Sequence, residues 1–312
     1  MDGGDFLGSF EYSQITFPIF GDGFAINPPR SFSVFGFSIY FYGIFIMLGF
    51  LLALIYMLRR RQEFDLTSDN IFDMILLAIP GGIIGSRIYY VIFNPADFFG
   101  AGGRFVNVFN IRHGGLAIYG GIIGAVILFI IYCRIKKVSF FKIADIAVFG
   151  VFIGQIVGRW GNFLNREAYG VLTDVPWRMG LTSVFPQRIN ESVYEYITFY
   201  VHPTFFYEAL WNTIGFLLLH FYSKKRKPKY HGQFLLFYVA WYGLGRFVIE
   251  GLRADSLFVG STNIRVSQLL AALSFCVAVT LLVVNKIRGV QAIEQDVAAA
   301  DDEPAAESDT DD

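Results

Sequence analysis

Residues 37–58 read FSIYFYGIFIMLGFLLALIYML, twenty-two positions without a charge, and Arg59, Arg60 and Arg61 follow at once. A run of that length crosses the roughly 30 Å hydrocarbon core of a bilayer as a helix, and basic residues stop it at the cytoplasmic face. Further runs of the same kind lie at about 71–93, 115–134, 143–163, 204–222, 233–250 and 266–287. Composition agrees: 54% of the residues are hydrophobic and only 16% charged, with a mean hydropathy of +0.50, which is too apolar for one water-soluble domain. The expected fold is an all-α integral membrane protein with about seven transmembrane helices.

Orientation follows from Lys and Arg. Fourteen of them fall in alternate connections, at Arg59–Arg61, Arg134–Lys142, Lys224–Lys229 and Lys286–Arg288, against eight in the other set, which includes Arg104. Seven spans then place the amino terminus outside the cytoplasm and the carboxyl terminus inside. The polar stretch at about 164–202 is expected to form a small extracytoplasmic head. Residues 1–288 form one membrane domain. Residues 289–312 hold nine acids and no base, and read as a disordered cytoplasmic tail. The first 27 residues lack a basic region followed by an apolar core, so no cleaved signal peptide is expected. Without the tail the chain carries 25 bases against 17 acids, a balance suited to anionic lipid. Cys133 and Cys276 both stand in apolar runs and support neither a disulfide framework nor a metal site.

Small residues recur at four-residue spacing, as Gly81 and Gly85, Gly120 and Gly124, and Gly150, Gly154 and Gly158. That spacing lets membrane helices approach closely.

Ionisable groups inside hydrocarbon are costly and are retained where they pair or function. The fourth run ends at Gly158-Arg159-Trp160-Gly161-Asn162-Phe163-Leu164-Asn165-Arg166-Glu167-Ala168-Tyr169-Gly170. On a helix, Arg159, Asn162 and Asn165 share a face. The sixth run places Tyr242, Arg246, Glu250 and Arg253 on one stripe. An internal Arg246–Glu250 pair that only locks helices together is the plainer alternative there, and both roles can coexist. His202-Pro203-Thr204 with Tyr207-Glu208 opens the fifth run, where His202 reads more readily as a structural cap than as a base. His113-Gly114-Gly115 through Tyr119 opens the third, while His220 and His231 stand towards the other face and read as bystanders.

Together these stretches resemble the phosphatidylglycerol:prolipoprotein diacylglyceryl transferases of bacteria, over most of the chain from Tyr40-Phe41-Tyr42-Gly43 to Arg253. Gly158 to Gly170 matches the family signature at each fixed position. The resemblance implies a multi-pass enzyme of the bacterial cytoplasmic membrane, acting on phosphatidylglycerol and on prolipoprotein signal peptides with a lipobox cysteine. No cofactor, metal or nucleic acid is expected. The implied catalytic residues are Arg246, Glu250, Tyr119 and Tyr42. Those implied for phosphatidylglycerol are Arg159, Asn162, Asn165, Glu167, Gly170, Arg253 and His202, with Glu250 and Glu167 expected to orient the guanidinium groups. Some members have His where this chain has Tyr119, so the base is Tyr119 or another group. Two other classes also place charges inside a membrane. A transporter would need a repeat relating the chain's halves, and the likeness of residues 81–85 to 120–124 stops after about seven residues. An intramembrane protease would need a Gly-x-Ser-x-Gly, a catalytic aspartate pair or a His-Glu-x-x-His, and the sequence has none.

Overall fold

The computed structural model describes residues 11–288 apart from 22, 101–104, 111–113, 185–186, 189–193, 259–261 and 263. Arg104 and the acidic tail 289–312 lie outside the described residues. Seven long helices carry the fold: α1 (Phe41–Arg60), α2 (Ser68–Phe93), α3 (Ile118–Lys136), α4 (Phe140–Asn165), α5 (Thr204–Lys225), α6 (Gln233–Glu250) and α7 (Val266–Ile287). They fall on the seven apolar runs, and α6 and α7 share their limits. At the first run the helix starts only at Phe41, because residues 37–40 are a strand.

Among the described residues, five segments are long and apolar enough to cross a membrane: Phe41–Phe64, Ser68–Phe93, Ile118–Lys136, Phe140–Asn165 and Val266–Ile287. Their outward residues are large and apolar, such as Met47 and Leu51 on α1 and Leu273 and Val277 on α7. In water such surface would be a liability, and in hydrocarbon it is the solvated face. Helices α5 and α6 are comparably long but carry Glu208, Asn212, Arg246 and Glu250.

The all-α expectation holds for the long elements only. The described residues also form eight short strands, four of which make one antiparallel sheet in the order β2 (Ala25–Ile26), β1 (Tyr12–Thr16), β5 (Met179–Ser183), β8 (Thr198–Val201). β3 (Ser31–Val34) pairs with β4 (Phe37–Tyr40), and β6 (Gln187–Arg188) with β7 (Tyr194–Glu195). The sheet is thus built jointly from the amino-terminal segment and the 164–202 segment. Tyr12, Ile15, Met179, Leu181 and Val201 pack with Phe205 of α5 into one buried cluster, and Phe163 of α4 lies against it. Strand alternation, with the register shift between Tyr12 and Gln14 that brings Tyr12 to the side of Ile15, turns these side chains to one face, which seats the sheet on the ends of two helices.

By contacts the chain divides into two compact units, Tyr56–Ala147 and Met1–Ile55 with Val148–Asp312. In the smaller unit α2 packs on α3 through the expected glycines. A Cβ on Gly85 would stand 2.7 Å from the Gly124 Cα, and one on Gly124 2.8 Å from the Gly85 Cα, so the two backbones touch where only hydrogen fits. The third glycine set behaves differently: among the described residues, nothing lies within 4 Å of a Cβ built on Gly154 or Gly158. Arg87 of α2 is buried and donates to the carbonyls of Asn107, Val108, Asn110, Gly114 and Gly115 at 2.5–3.1 Å. Its charge is spread over carbonyl dipoles, so it organises the 105–115 connection.

In the larger unit α5 and α6 are locked by two indoles. Trp211 and Trp241 stack at 4.3 Å, and each donates its Nε1–H to the other's carbonyl at 2.9 Å. The reciprocal bonds fix the register of the two helices. They thereby align Glu208 with Arg246, one turn away on each helix.

Candidate active site

The ends of α4, α5 and α6 and the turn after α6 bring three guanidinium groups onto two buried carboxylates. Glu208, on the second turn of α5, is only 4% exposed. Its Oε1 accepts from Arg246 Nη1 at 3.2 Å and from Arg253 Nη1 at 3.1 Å, while its Oε2 is paired with Arg159 Nη2. Glu250, 2% exposed, lies with Oε2 2.6 Å from Arg246 Nη2 and 4.0 Å from Arg253 Nε. That oxygen makes no hydrogen bond, so the contact with Arg246 is an ion pair set off the N–H direction. Arg253 closes the group outward by donating two hydrogen bonds to exposed Asp255, from Nε to Oδ1 at 2.9 Å and from Nη2 to Oδ2 at 2.7 Å.

Moving a charge out of water costs on the order of several kcal/mol per ion, and pairing offsets this only where partners are close and well oriented. Glu208 achieves it by serving three cations at once. With Asp255 left at the wet rim, the buried part of the cluster holds three positive groups against two negative, an excess favourable to a bound anion. The Arg246 side chain keeps 17% of its surface exposed, so the group is reachable.

A second strand of contacts runs from the same helix end. Arg159 Nη1 donates to Asn162 Oδ1 at 3.3 Å, and Asn162 Nδ2 donates to Glu167 Oε1 at 2.9 Å, with Asn165 Nδ2 3.4 Å from the same oxygen. The expected shared face of Arg159, Asn162 and Asn165 is present, because α4 continues to Asn165. Glu167 nevertheless holds the two amides, whereas the carboxylate on Arg159 is Glu208. The turn that follows depends on Arg166, at φ +56°, an uncommon backbone for a residue with a Cβ. It is held by its buried guanidinium, which donates to Ser13 O, Leu164 O, Asn27 Oδ1 and Pro28 O at 2.8–2.9 Å.

Gly170 and His202 sit one layer away. Gly170 N donates to His202 O at 2.9 Å, and Gly170 forms a bridge with Arg253 on its other side. A Cβ there would meet His202 Cβ at 2.6 Å and Leu252 O at 2.7 Å, so glycine is required for packing that positions Arg253. His202 Nδ1 lies 3.1 Å from Tyr207 Oη, which accepts from Trp177 Nε1 at 2.7 Å. Burial lowers the His202 pKa from its ordinary value, which keeps the ring neutral at neutral pH. A structural partner of Tyr207 fits that state better than a cationic phosphate ligand.

Tyr42, in the first turn of α1, lays its ring against the α4 backbone at Gly161, where a Cβ would lie 2.7 Å from Tyr42 Cδ2. It therefore stands beside the turn that carries Arg159 and Asn162. Tyr242 stacks on Tyr238, with ring centroids 5.8 Å apart, on the stripe that leads to Arg246. Tyr119 is exposed and belongs to the other compact unit. His113 lies outside the described residues. Among the described residues, no three His, Cys, Asp or Glu side chains converge as a metal site would require.

A helical membrane protein with a buried, net-positive arginine and glutamate cluster at its helix ends is the class that this fold and site define. The family model of prolipoprotein diacylglyceryl transferase matches residues 29–284, and the chain belongs to that family. A phosphatidylglycerol–prolipoprotein diacylglyceryl transferase of Clostridium botulinum (strain Langeland) is 42% identical over 251 residues, which are 80% of this chain and 94% of the relative. The same-named protein of Finegoldia magna is 39% identical over 265 residues, 85% of this chain and 98% of its own. A Clostridium perfringens relative, named phosphatidylglycerol–prolipoprotein diacylglyceryl transferase 1, is 39% identical over 261 residues, 84% and 95% of the two chains.

Proposed function

We propose that the chain transfers the diacylglyceryl group of phosphatidylglycerol to the lipobox cysteine of prolipoproteins. The cysteine gives up its thiol proton to a base and attacks, as the thiolate, the diacylglyceryl carbon that bears the phosphate; the thioether forms as that carbon's bond to the phosphate oxygen breaks, and glycerol phosphate leaves with the electron pair. The observation that carries this reading is the set of three guanidinium groups on two buried carboxylates. A leaving phosphate gains charge in the transition state, and donors fixed beforehand in a poorly hydrated site stabilise that charge without reorganising. Arg246 and Arg159 bind the phosphate, and Arg253 adds positive potential. Glu250 and Glu208 orient the three, while Asn162 and Asn165, steadied by Glu167, donate to headgroup oxygens. The same cations favour the thiolate, which is scarce at neutral pH for a free thiol of pKa about 8.5. In the unit that holds the cluster, the candidate proton relay is Tyr42. Its ring is packed against the helix turn that bears Arg159. The open space beside Gly154 and Gly158, five residues and one residue before that arginine, leaves room for an acyl chain.

Incubation of the purified protein with phosphatidylglycerol and a lipobox peptide should add the mass of one diacylglyceryl group to the peptide cysteine. A peptide with Ser at that position should gain nothing. Absence of the mass gain with well-folded protein would sink the proposal.

All seven long helices span the bacterial cytoplasmic membrane in this reading, with α5 and α6 turning their charges inward. The sheet and the cluster face the extracytoplasmic side, and the carboxyl terminus lies inside. In a Cys133→Ala, Cys276→Ala background, Tyr196→Cys should react with an impermeant maleimide on intact cells. Lys225→Cys should react only after permeabilisation. The reverse pattern would invert the topology.

A further inference from the structure

The β3–β4 hairpin has one apolar face and one small polar face, and its position at the start of α1 fixes what the apolar face meets. The register pairs Phe32 with Ile39 and Val34 with Phe37, which places those four side chains on one side of the ribbon. The other side carries Ser31 with Tyr40 and Ser33 with Ser38. The hairpin is a two-stranded sheet of its own, and none of the four apolar side chains is buried. Phe37 is 76% exposed, and Phe35 at the tip is 97% exposed. Phe35 also adopts φ +49° and Gly36 φ +82°, the two-residue turn that ordinarily favours Asn-Gly or Gly-Gly. Among the described residues no packing partner explains a bulky aromatic there, and such an outlier calls for a use outside the fold.

The neighbouring helix supplies the location. α1 has 20 residues and so spans about 30 Å, one hydrocarbon thickness, with Arg59 and Arg60 in its last turn. Its first residue, Phe41, therefore stands at the opposite boundary of the bilayer, and the hairpin begins at that residue without a linker. Residues 31–58 contain no charge, so the uncharged surface continues unbroken from α1 onto the ribbon. Two anchors hold the ribbon at that level. Phe41 N donates to Arg30 O at 3.0 Å, and the Arg30 side chain pairs with Glu11 at 3.0 Å and donates to Tyr12 O at 3.1 Å.

Given a membrane-embedded α1, we propose that this hairpin is an interfacial anchor whose partner is the lipid bilayer itself. Its face of Phe32, Val34, Phe37 and Ile39, with Phe35 at the tip, enters the zone between headgroups and acyl chains. Tyr40 sits at headgroup level, where amphipathic rings are favoured. Tyr42, three residues beyond the strand's Ile39, rests on the α4 turn that carries Arg159. The anchor thereby fixes the depth of the arginine cluster relative to the lipid phosphates.

The test uses the full chain with Cys133→Ala and Cys276→Ala, reconstituted in phosphatidylglycerol-containing nanodiscs. Single cysteines at Phe35, Phe37, Ser33 and Ser38 carry a nitroxide, and its collisions with oxygen are compared with those of a water-soluble nickel chelate. Labels at 35 and 37 should be oxygen-accessible and shielded from nickel, and labels at 33 and 38 should be nickel-accessible. Equal access to nickel at all four sites would overturn the proposal. So would shielding of 35 and 37 that appears only when an apolar lipobox peptide is added, or spin–spin broadening that reports a second copy of the chain. The measurement reads depth whether or not the protein transfers lipid, so it stands apart from the activity assay.

Discussion

Glu208→Gln should lower the rate of diacylglyceryl transfer by about 100- to 1,000-fold, the cost of disordering donors aimed at developing charge. The change is nearly isosteric, so packing on α5 is retained and charge is the variable. Glu208 is the common partner of Arg159, Arg246 and Arg253. Without its charge Arg159 loses its carboxylate partner, while Arg246 keeps Glu250 and Arg253 keeps Asp255, and breaking a buried pair in this way costs about 3–5 kcal/mol. That energy is recovered by moving the arginines apart or by loosening the helix ends. Either outcome displaces the donors. Glu208→Asp keeps the charge on a shorter arm and should hold at least one of the three pairs, so its loss should be clearly smaller. Glu167→Gln removes a charge at an exposed position and should cost less than either. Transfer rates at matched folded protein, with thermal unfolding in detergent as a companion, decide the order. If Glu208→Gln keeps more than about half of the normal rate, the three-cation hub has no functional weight.

Glu208 marks the limit of what residue spacing reveals. The sequence shows Tyr242, Arg246, Glu250 and Arg253 as one helical stripe, and the Arg246–Glu250 pair is found where that periodicity puts it. It shows Arg159, Asn162 and Asn165 as one face, and their amide network is present. Periodicity speaks only within an element. The bonds from Glu208 to Arg246 and Arg253 cross 38 and 45 residues, and no local pattern encodes them. A balance of charges could have found it, since Arg159 and Arg246 in apolar runs need carboxylates and Glu208 enters one of those runs. Glu167, expected to orient a guanidinium group, is held by two amides in the folded chain, those of Asn162 and Asn165.

The β-structure was hidden by a related effect. β1 and β5 pair although Ser13 and Thr182 are 169 positions apart, and strands of two to five residues leave too short an alternation to stand out. The second strand of the hairpin, β4, falls inside the apolar run at 37–58, because a strand bearing Phe37 and Ile39 next to α1 has the hydropathy of a span. The register of β3 with β4 separates the two readings, and only a folded chain displays it.

Arg246→Lys should fail almost as badly as Arg246→Ala. Arg246 reaches two carboxylates at once, with Nη1 3.2 Å from Glu208 Oε1 and Nη2 2.6 Å from Glu250 Oε2. Those acids lie on different helices, so the guanidinium plane is held by α5 and α6 together and presents its remaining edge in a fixed direction. Lysine brings one compact ammonium on a flexible stem. It can stay near one acid, but it cannot span both and still offer a rigid, planar set of donors to phosphate. The expected loss for either substitution is about 100- to 1,000-fold in rate. Alanine adds the cost of leaving Glu250, 2% exposed, with Arg253 at 4.0 Å as its nearest cation. Its thermal unfolding temperature should therefore fall further than that of the lysine variant, although the two rates nearly coincide. Lys225→Ala, exposed at the far end of α5, should leave the rate within twofold of normal, as isolated surface charges do. If Arg246→Lys retains more than about half of the rate, charge alone is what the site needs, and the fork geometry assigned to Arg246 is wrong.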